Sequence, residues 1–119
     1  MIADAALSGE LWSAVCFVDD RTGRASLLGF PVVGTTTDLQ QLRKTYSAVA
    51  VGIGDATARL TILDKCERLG FDLPFIRHRT AAVSRFASVA HGCVAFAQSA
   101  INPGAVLGRG CIINTGATV

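Results

Sequence analysis

The stretch VSRFASVAHGCVAFAQSAINPGAVLGRGCIINTGATV, residues 83–119, decides the fold. Positions 83, 89, 95, 101, 107, 113 and 119 are Val, Val, Ala, Ile, Leu, Ile and Val, apolar at an unbroken spacing of six. Four residues after each of the first six of these stand Ala87, Cys93, Ser99, Ala105, Cys111 and Ala117, every one small. A six-residue period winds around a 3.6-residue helix without making one face, so the stretch is not helical. Six residues instead make one short strand and a turn, and three such units close a triangular coil. The aliphatic residue stacks on its counterpart one coil away, and the small residue fits a second, tighter inward position. Gly92, Gly104, Gly110 and Gly116 recur at the turn, where backbone freedom is needed. Cys93 and Cys111 hold small inward positions, which predicts inert thiols.

Ahead of the repeat the pattern changes. Residues 13–18, Ser-Ala-Val-Cys-Phe-Val, form an apolar run that stops at Asp19-Asp20, which predicts a buried strand leaving its sheet into a polar turn. Phe30–Gly34 is a second apolar patch, and Asp38 is placed to cap a helix to about Tyr46 with Leu39 and Leu42 inward. Residues 48–53, Ala-Val-Ala-Val-Gly-Ile, predict another buried strand. Asp55 then caps a longer helix with Leu60, Leu63, Cys66 and Leu69 on one side and Gly70 at its end. Ile2–Leu7 is helix-like, with no strand ahead of it in these residues. Alternating strands and helices predict a partial, Rossmann-like parallel α/β sheet. Ligands of such sheets lie at the carboxyl ends of strands, where Asp19, Asp20 and Gly52-x-Gly54 fall. The spacing alone also fits a turn glycine and two solvated aspartates.

The 119 residues therefore divide into an α/β piece over 1–76 and the first coils of a β-helix over 77–119. Charge divides the same way. Residues 1–72 hold all nine acids and seven bases, net −2, whereas 73–119 hold no acid and four arginines, Arg77, Arg79, Arg85 and Arg109. A scaffold with few charges accounts for this more simply than an anion site. The overall net charge of +2 is too slight to argue for nucleic acid, and no apolar run is long enough to span a membrane. The start has no basic region typical of a secretion signal, so the chain reads as soluble and cytoplasmic, with its four cysteines as free thiols. No C-x-x-C occurs, so zinc and other metals are not expected.

The repeat resembles the hexapeptide-repeat acyltransferases, whose prism is a left-handed parallel β-helix. Ala100–Gly108 and Ile112–Ala117 narrow the resemblance to the sugar O- and N-acetyltransferases of the sialic-acid type, which include enzymes acting on UDP- or GDP-linked amino sugars. The front piece agrees: Val15–Asp20 is similar to that family's strand ending in two aspartates, and Val49–Asp55 with Arg59 to its strand, Gly-x-Gly turn and helix start. Ile76-Arg77-His78 is similar to its lead into the first coil, with Arg79 where Pro is usual.

The resemblance implies transfer of an acetyl group from acetyl-CoA to an amine or hydroxyl on a nucleotide-activated sugar, in a homotrimer. It carries Asp19 and Asp20 over as nucleotide contacts, Gly52 and Gly54 as the loop beside them, and Asn114 as a neighbour of the acceptor sugar. Asn114 has a competing reading as a ladder residue, because Asn102 holds the same repeat position. The family's catalytic His would fall two positions beyond Val119, and its first strand with a Gly-Gly-His loop ahead of Met1. The resemblance therefore implies a piece of a longer enzyme with no catalytic residue of its own. His78 and His91 read as structural and solvent-exposed, with no carboxylate spaced to form an acid–base pair. A non-catalytic binding or trimerisation module is the alternative. A γ-type carbonic anhydrase shares the prism, but it needs three zinc-binding histidines, and two that lie thirteen residues apart do not fit.

Overall fold

The computed structural model describes residues 1–9, 11–12, 14–21, 23 and 25–119. Helix α1 spans Ile2–Ser8 and buries Ala3 and Ala5. Strand β1, Phe17–Val18, pairs in parallel with β3, Phe30–Gly34, and β2, Ser26–Leu27, pairs antiparallel with β3 in a tight hairpin. The sheet order is β1-β3-β2. The strand predicted over 13–18 contracts to Phe17–Val18, the two residues that pair with β3, with a register shift between them. Ser13 lies outside the described residues.

Thr36–Asp38 form a 3-10 turn that runs into helix α2, Leu39–Leu42. Thr35, not Asp38, is the outer cap; Asp38 sits three residues in and its Oδ2 accepts from the Thr35 N–H at 2.8 Å. Regular helix stops at Leu42, and turns carry the chain to Tyr46, whose N–H bonds Leu42 O at 2.9 Å. The strand predicted over 48–53 reduces to one bridge, Ala48 to Asp72, with Val49 N donating to Asp72 O at 3.0 Å. A strand needs a hydrogen-bonded neighbour along its length. Among the described residues Asp72 alone bridges this segment.

Helix α3, Ala56–Arg68, has the predicted cap and end, but Leu60 of its predicted inner side is 39% exposed. Asp55 caps it by accepting from Ala58 N at 2.8 Å, and Gly70 follows the end at φ +88°. Leu63 and Cys66 are fully buried on its inner side and join Leu39, Val51, Phe71 and Leu73 in the front core.

From Ile76 onward the chain winds as a prism. Strands β4 (Ile76–Arg77), β7 (Val94–Ala95) and β10 (Ile112–Ile113) stack on one face, β5 (Ala82–Val83) and β8 (Ala100–Ile101) on a second, and β6 (Ser88–Val89) and β9 (Val106–Leu107) on the third. Every pairing is parallel and joins residues eighteen apart, such as Ile76 with Val94 and Val94 with Ile112. One coil is thus three hexapeptides. Ile76, on the front side of the boundary drawn from sequence, already forms the first rung.

Ala95, Ile101, Leu107 and Ile113 fill the interior with Cys93, and Val83 and Val89 pack against them. Ser99 is the one buried polar side chain of the described core, and its hydroxyl donates to Phe96 O at 2.7 Å. The left-handed corner residues are Gly92, Gly104, Gly110 and Gly116, plus Gln98 at φ +59°.

Two helices pack the front against the prism. Helix α1 covers the outside of the β4-β7-β10 face, where Ala5, Ile76, Val94 and Phe96 are buried together with Ile2, Ala6, Trp12 and Ile112 against them. Helix α3 rests on one prism corner, where Gly92 and Gly110 lie one coil apart. A Cβ on Gly110 would stand 2.6 Å from Leu63 Cδ1, and one on Gly92 would stand 3.1 Å from Leu63 Cδ2. These two glycines are therefore required twice, by φ and by the seat of the helix. Arg109 pairs with Asp64 and, at 3.4 Å, with Glu67, so acids of the front piece meet a base of the acid-free back piece.

Candidate functional site

A groove of about 1180 Å³ opens between the front layer and the β4-β7-β10 face of the prism. Asp19, Asp20, Gly52, Gly54 and Asn114 all line it, although they come from three distant stretches of chain. Val15–Val18 and Val49–Ile53 form much of its apolar wall, with Arg21 and Arg59 as its cations.

The two aspartates are used differently. Asp20 is bound to the 3-10 turn: Oδ1 accepts from Thr36 N at 2.7 Å and Oδ2 from Thr36 Oγ1 at 2.9 Å. Those bonds, the backbone one foremost, hold its carboxyl below the ordinary carboxylate value, and the charge of Lys65 adds to the effect. Lys65 Nζ in turn donates to Thr36 O at 2.8 Å, so β1, the 3-10 turn and α3 are tied at one point. Asp19 receives the Arg21 N–H at 2.9 Å on Oδ1, a local turn contact. Asp20 thus uses both carboxylate oxygens to fix the loop, whereas Asp19 bonds only its own turn through Oδ1.

Gly52 and Gly54 are exposed on the groove, and neither has a left-handed backbone. A Cβ on Gly52 would meet Ile2 Cδ1 at 3.2 Å, whereas one on Gly54 would meet nothing within 4 Å. The turn between them is held by Arg59, whose Nη1 donates to Ile53 O at 2.8 Å and to Gly54 O at 2.9 Å. Its Nε donates to Gly110 O at 2.8 Å. Sequence reading noted Arg59 only as part of a resemblance; a contact across 51 residues has no local signature.

Asn114 is exposed at the groove, and its carbonyl accepts the Ala117 N–H at 3.0 Å. Asn114 does not stack on Asn102. Residues stack when eighteen apart, and Asn102 lies twelve away, on another corner. At the groove's inner wall the Tyr46 phenol contacts the Cys16 thiol, a bond that pushes the phenol's pKa up.

The histidines lie elsewhere. His78 Nδ1 accepts from Thr80 N at 3.1 Å, and its Nε2 stands 3.8 Å from Asp4 Oδ2. His91 Nε2 stands 3.5 Å from Glu67 Oε1, with the ring about half exposed. Each therefore has a carboxylate that spacing along the chain could not show, because it comes from the other piece. Neither ring lines the groove. The four cysteines are free; Cys66 and Cys93 are fully buried, and burial pushes both thiols up, away from reactivity. Among the described residues no three His, Cys, Asp or Glu side chains gather as a metal site.

Residues 1–66 match the family described as PglD N-terminal domain. The chain belongs to that family. Solved structures extend the likeness across the repeat. The PglD-type chain aligns over 99% of its length with the acetyltransferase domain of PglB from Neisseria gonorrhoeae in complex with acetyl coenzyme A, at 37% identity and a TM-score of 0.94. It aligns equally far with a mutant of the perosamine N-acetyltransferase of Caulobacter crescentus in complex with CoA and GDP-perosamine, at 34% identity and a TM-score of 0.92. PerB from the same organism, with the same two ligands, matches at 32% identity and a TM-score of 0.90. The chain spans 57%, 56% and 56% of those three. No curated protein sequence matches it. The PglD-type front layer and the hexapeptide prism are thus the architecture of sugar acetyltransferases.

Proposed function

We propose that this chain carries the nucleotide-sugar end of an acetyl-CoA-dependent sugar acetyltransferase. Residues 1–76 serve as the nucleotide-sugar half and 77–119 as the first coils of the catalytic β-helix. The observation that supports this is the convergence of Asp19, Asp20, Gly52, Gly54 and Asn114 on one groove, in a chain that superimposes on enzymes holding acetyl-CoA or GDP-perosamine. Asp19 receives hydroxyl or N–H donors of the nucleotide, and Asp20 keeps the loop in place. Gly52 and Gly54 leave the backbone open to the phosphates, and Asn114 orients the acceptor sugar.

Acetyl transfer needs a base to take the proton of the attacking amine or hydroxyl and N–H donors to stabilise the tetrahedral oxyanion. Asp20 accepts protons poorly, because Thr36 holds it ionised. Neither histidine lines the groove, so neither is assigned as the base. The whole protein is read as a cytoplasmic homotrimer.

The test is nuclear magnetic resonance titration with a GDP- or UDP-linked amino sugar. Shifts centred on Asp19, Gly54 and Asn114 are expected. Shifts elsewhere, or none, would sink the assignment. Acetyl-CoA added with the sugar should yield no free CoA above background, followed by chromatography because four cysteines would react with thiol reagents. The second reading, a binding module without catalysis, is favoured by the position of the histidines. It gains if the chain binds the sugar nucleotide but gives no turnover.

A further inference from the structure

We propose that Arg59 is a positioning residue: its guanidinium holds the Gly52–Gly54 turn at a set distance from the Gly110–Asn114 side of the groove. The inference rests on the reading of the groove as a nucleotide-sugar site. One planar group donates to three carbonyls, two on the turn and one on the prism, at 2.8, 2.9 and 2.8 Å. Arg59 itself is half-buried and lines the groove. Neither glycine of the turn is locked by backbone geometry, and a Cβ on Gly54 would find open space, so local sterics do not set the turn.

The carbonyls face a cation that cannot lose its proton, and the rigid fork fixes direction as well as distance. The point of attachment on the prism matters too. Gly110 lies in the coil turn just ahead of β10, and β10 leads directly to Asn114. A ligand spanning the groove would touch the turn at one end and Asn114 at the other. Arg59 sets the span between them. Another α3–prism contact, Arg109 with Asp64 and Glu67, secures the helix without touching the turn.

The experiment compares Arg59→Lys, Arg59→Met and Arg109→Gln in the full 119-residue chain, by backbone ¹⁵N heteronuclear relaxation and by affinity for a GDP-linked amino sugar. Both Arg59 variants should lower the order of Gly52–Gly54, Lys included because its one nitrogen cannot stand at both donor positions, Nη1 on the turn and Nε on the prism. Arg109→Gln should leave the turn ordered. Affinity in Arg59→Lys should fall at least tenfold.

An ordered turn in Arg59→Lys, or equal loosening in Arg109→Gln, overturns the proposal. So does a loosened turn with unchanged affinity. If the unaltered chain shows no sugar binding, the nucleotide-sugar reading fails, and the relaxation data alone decide the role of Arg59.

Discussion

The prism and the front layer are held together in different ways. In the prism each strand finds its partner eighteen residues later, and one inward side chain repeats at every step. A single rule sets register, core and corners. In the front layer the sheet is three short strands, and the segment over 48–53 has one bridge. Beside the core around Leu63 and Cys66, side chains there reach across the chain: Asp20 to Thr36, Lys65 to Thr36, Arg43 Nε to Gly70 O at 3.0 Å, and Arg59 to Ile53 and Gly54. The difference teaches where site residues are fixed by count and where they depend on long-range bonds.

The largest expected effect tests the prism rule itself. Ile101 is 2% exposed at the centre of the interior stack. Ile101→Ala should cost about 2–5 kcal/mol in chemical denaturation, the usual range for a large-to-small core change. A loss below about 1 kcal/mol would mean that the coils are not packed as one core.

Gly110→Ala comes next and probes the corner under α3. Strain at φ +72° and the clash with Leu63 should together destabilise by about 1–3 kcal/mol. Gly116 has the same φ with nothing within 4 Å of an added Cβ, so Gly116→Ala should cost clearly less. Equal losses at the two positions would show that α3 does not press on its corner.

Asp20→Asn probes the polar cohesion of the front layer through pH. The folded carboxyl titrates below its ordinary value of 3.8, so its contribution is present above that value. It is lost as pH falls through the lower, folded value. The variant should be less stable than the parent near neutrality and match it in strong acid; a gap that persists in acid would exclude the ionised Thr36 contact. The smallest effect is expected at Gln98, left-handed at φ +59° at the turn position that Gly92, Gly104, Gly110 and Gly116 hold in other repeats. Gln98→Gly should change stability by under about 1 kcal/mol, towards stabilisation, in thermal melts.

Legibility followed the same division. The six-residue period showed the strands, interior and corners of the prism, because each rests on neighbours at a fixed count. Helix α3 was readable from Asp55, Leu63, Cys66 and Gly70, all local signals. The strand over 48–53 was overread because apolar composition shows burial but not a hydrogen-bonding neighbour. Asp19 and Asp20 looked alike in sequence; Thr36, sixteen residues on, is what separates them. The carboxylates beside His78 and His91, and the reach of Arg59, were hidden because each joins residues of different pieces. The carboxyl-end rule already drew Asp19, Asp20, Gly52 and Gly54 together, whereas the place of Asn114 beside them became visible only in three dimensions.

The corner formed by Gly92 and Gly110 also limits how the chain can change in length. Both glycines must stay in one column for Leu63 to rest on them. An insertion absorbed into the winding between them would shift every later side chain around the coil and turn the column away from α3. Added residues would be accommodated only as a loop leaving the prism and returning at the same point. The corner of Phe86 and Gly104 is suited to this, since Phe86 is 72% exposed there and a Cβ on Gly104 would touch nothing. Natural length variation and engineered insertions alike are therefore expected at that corner.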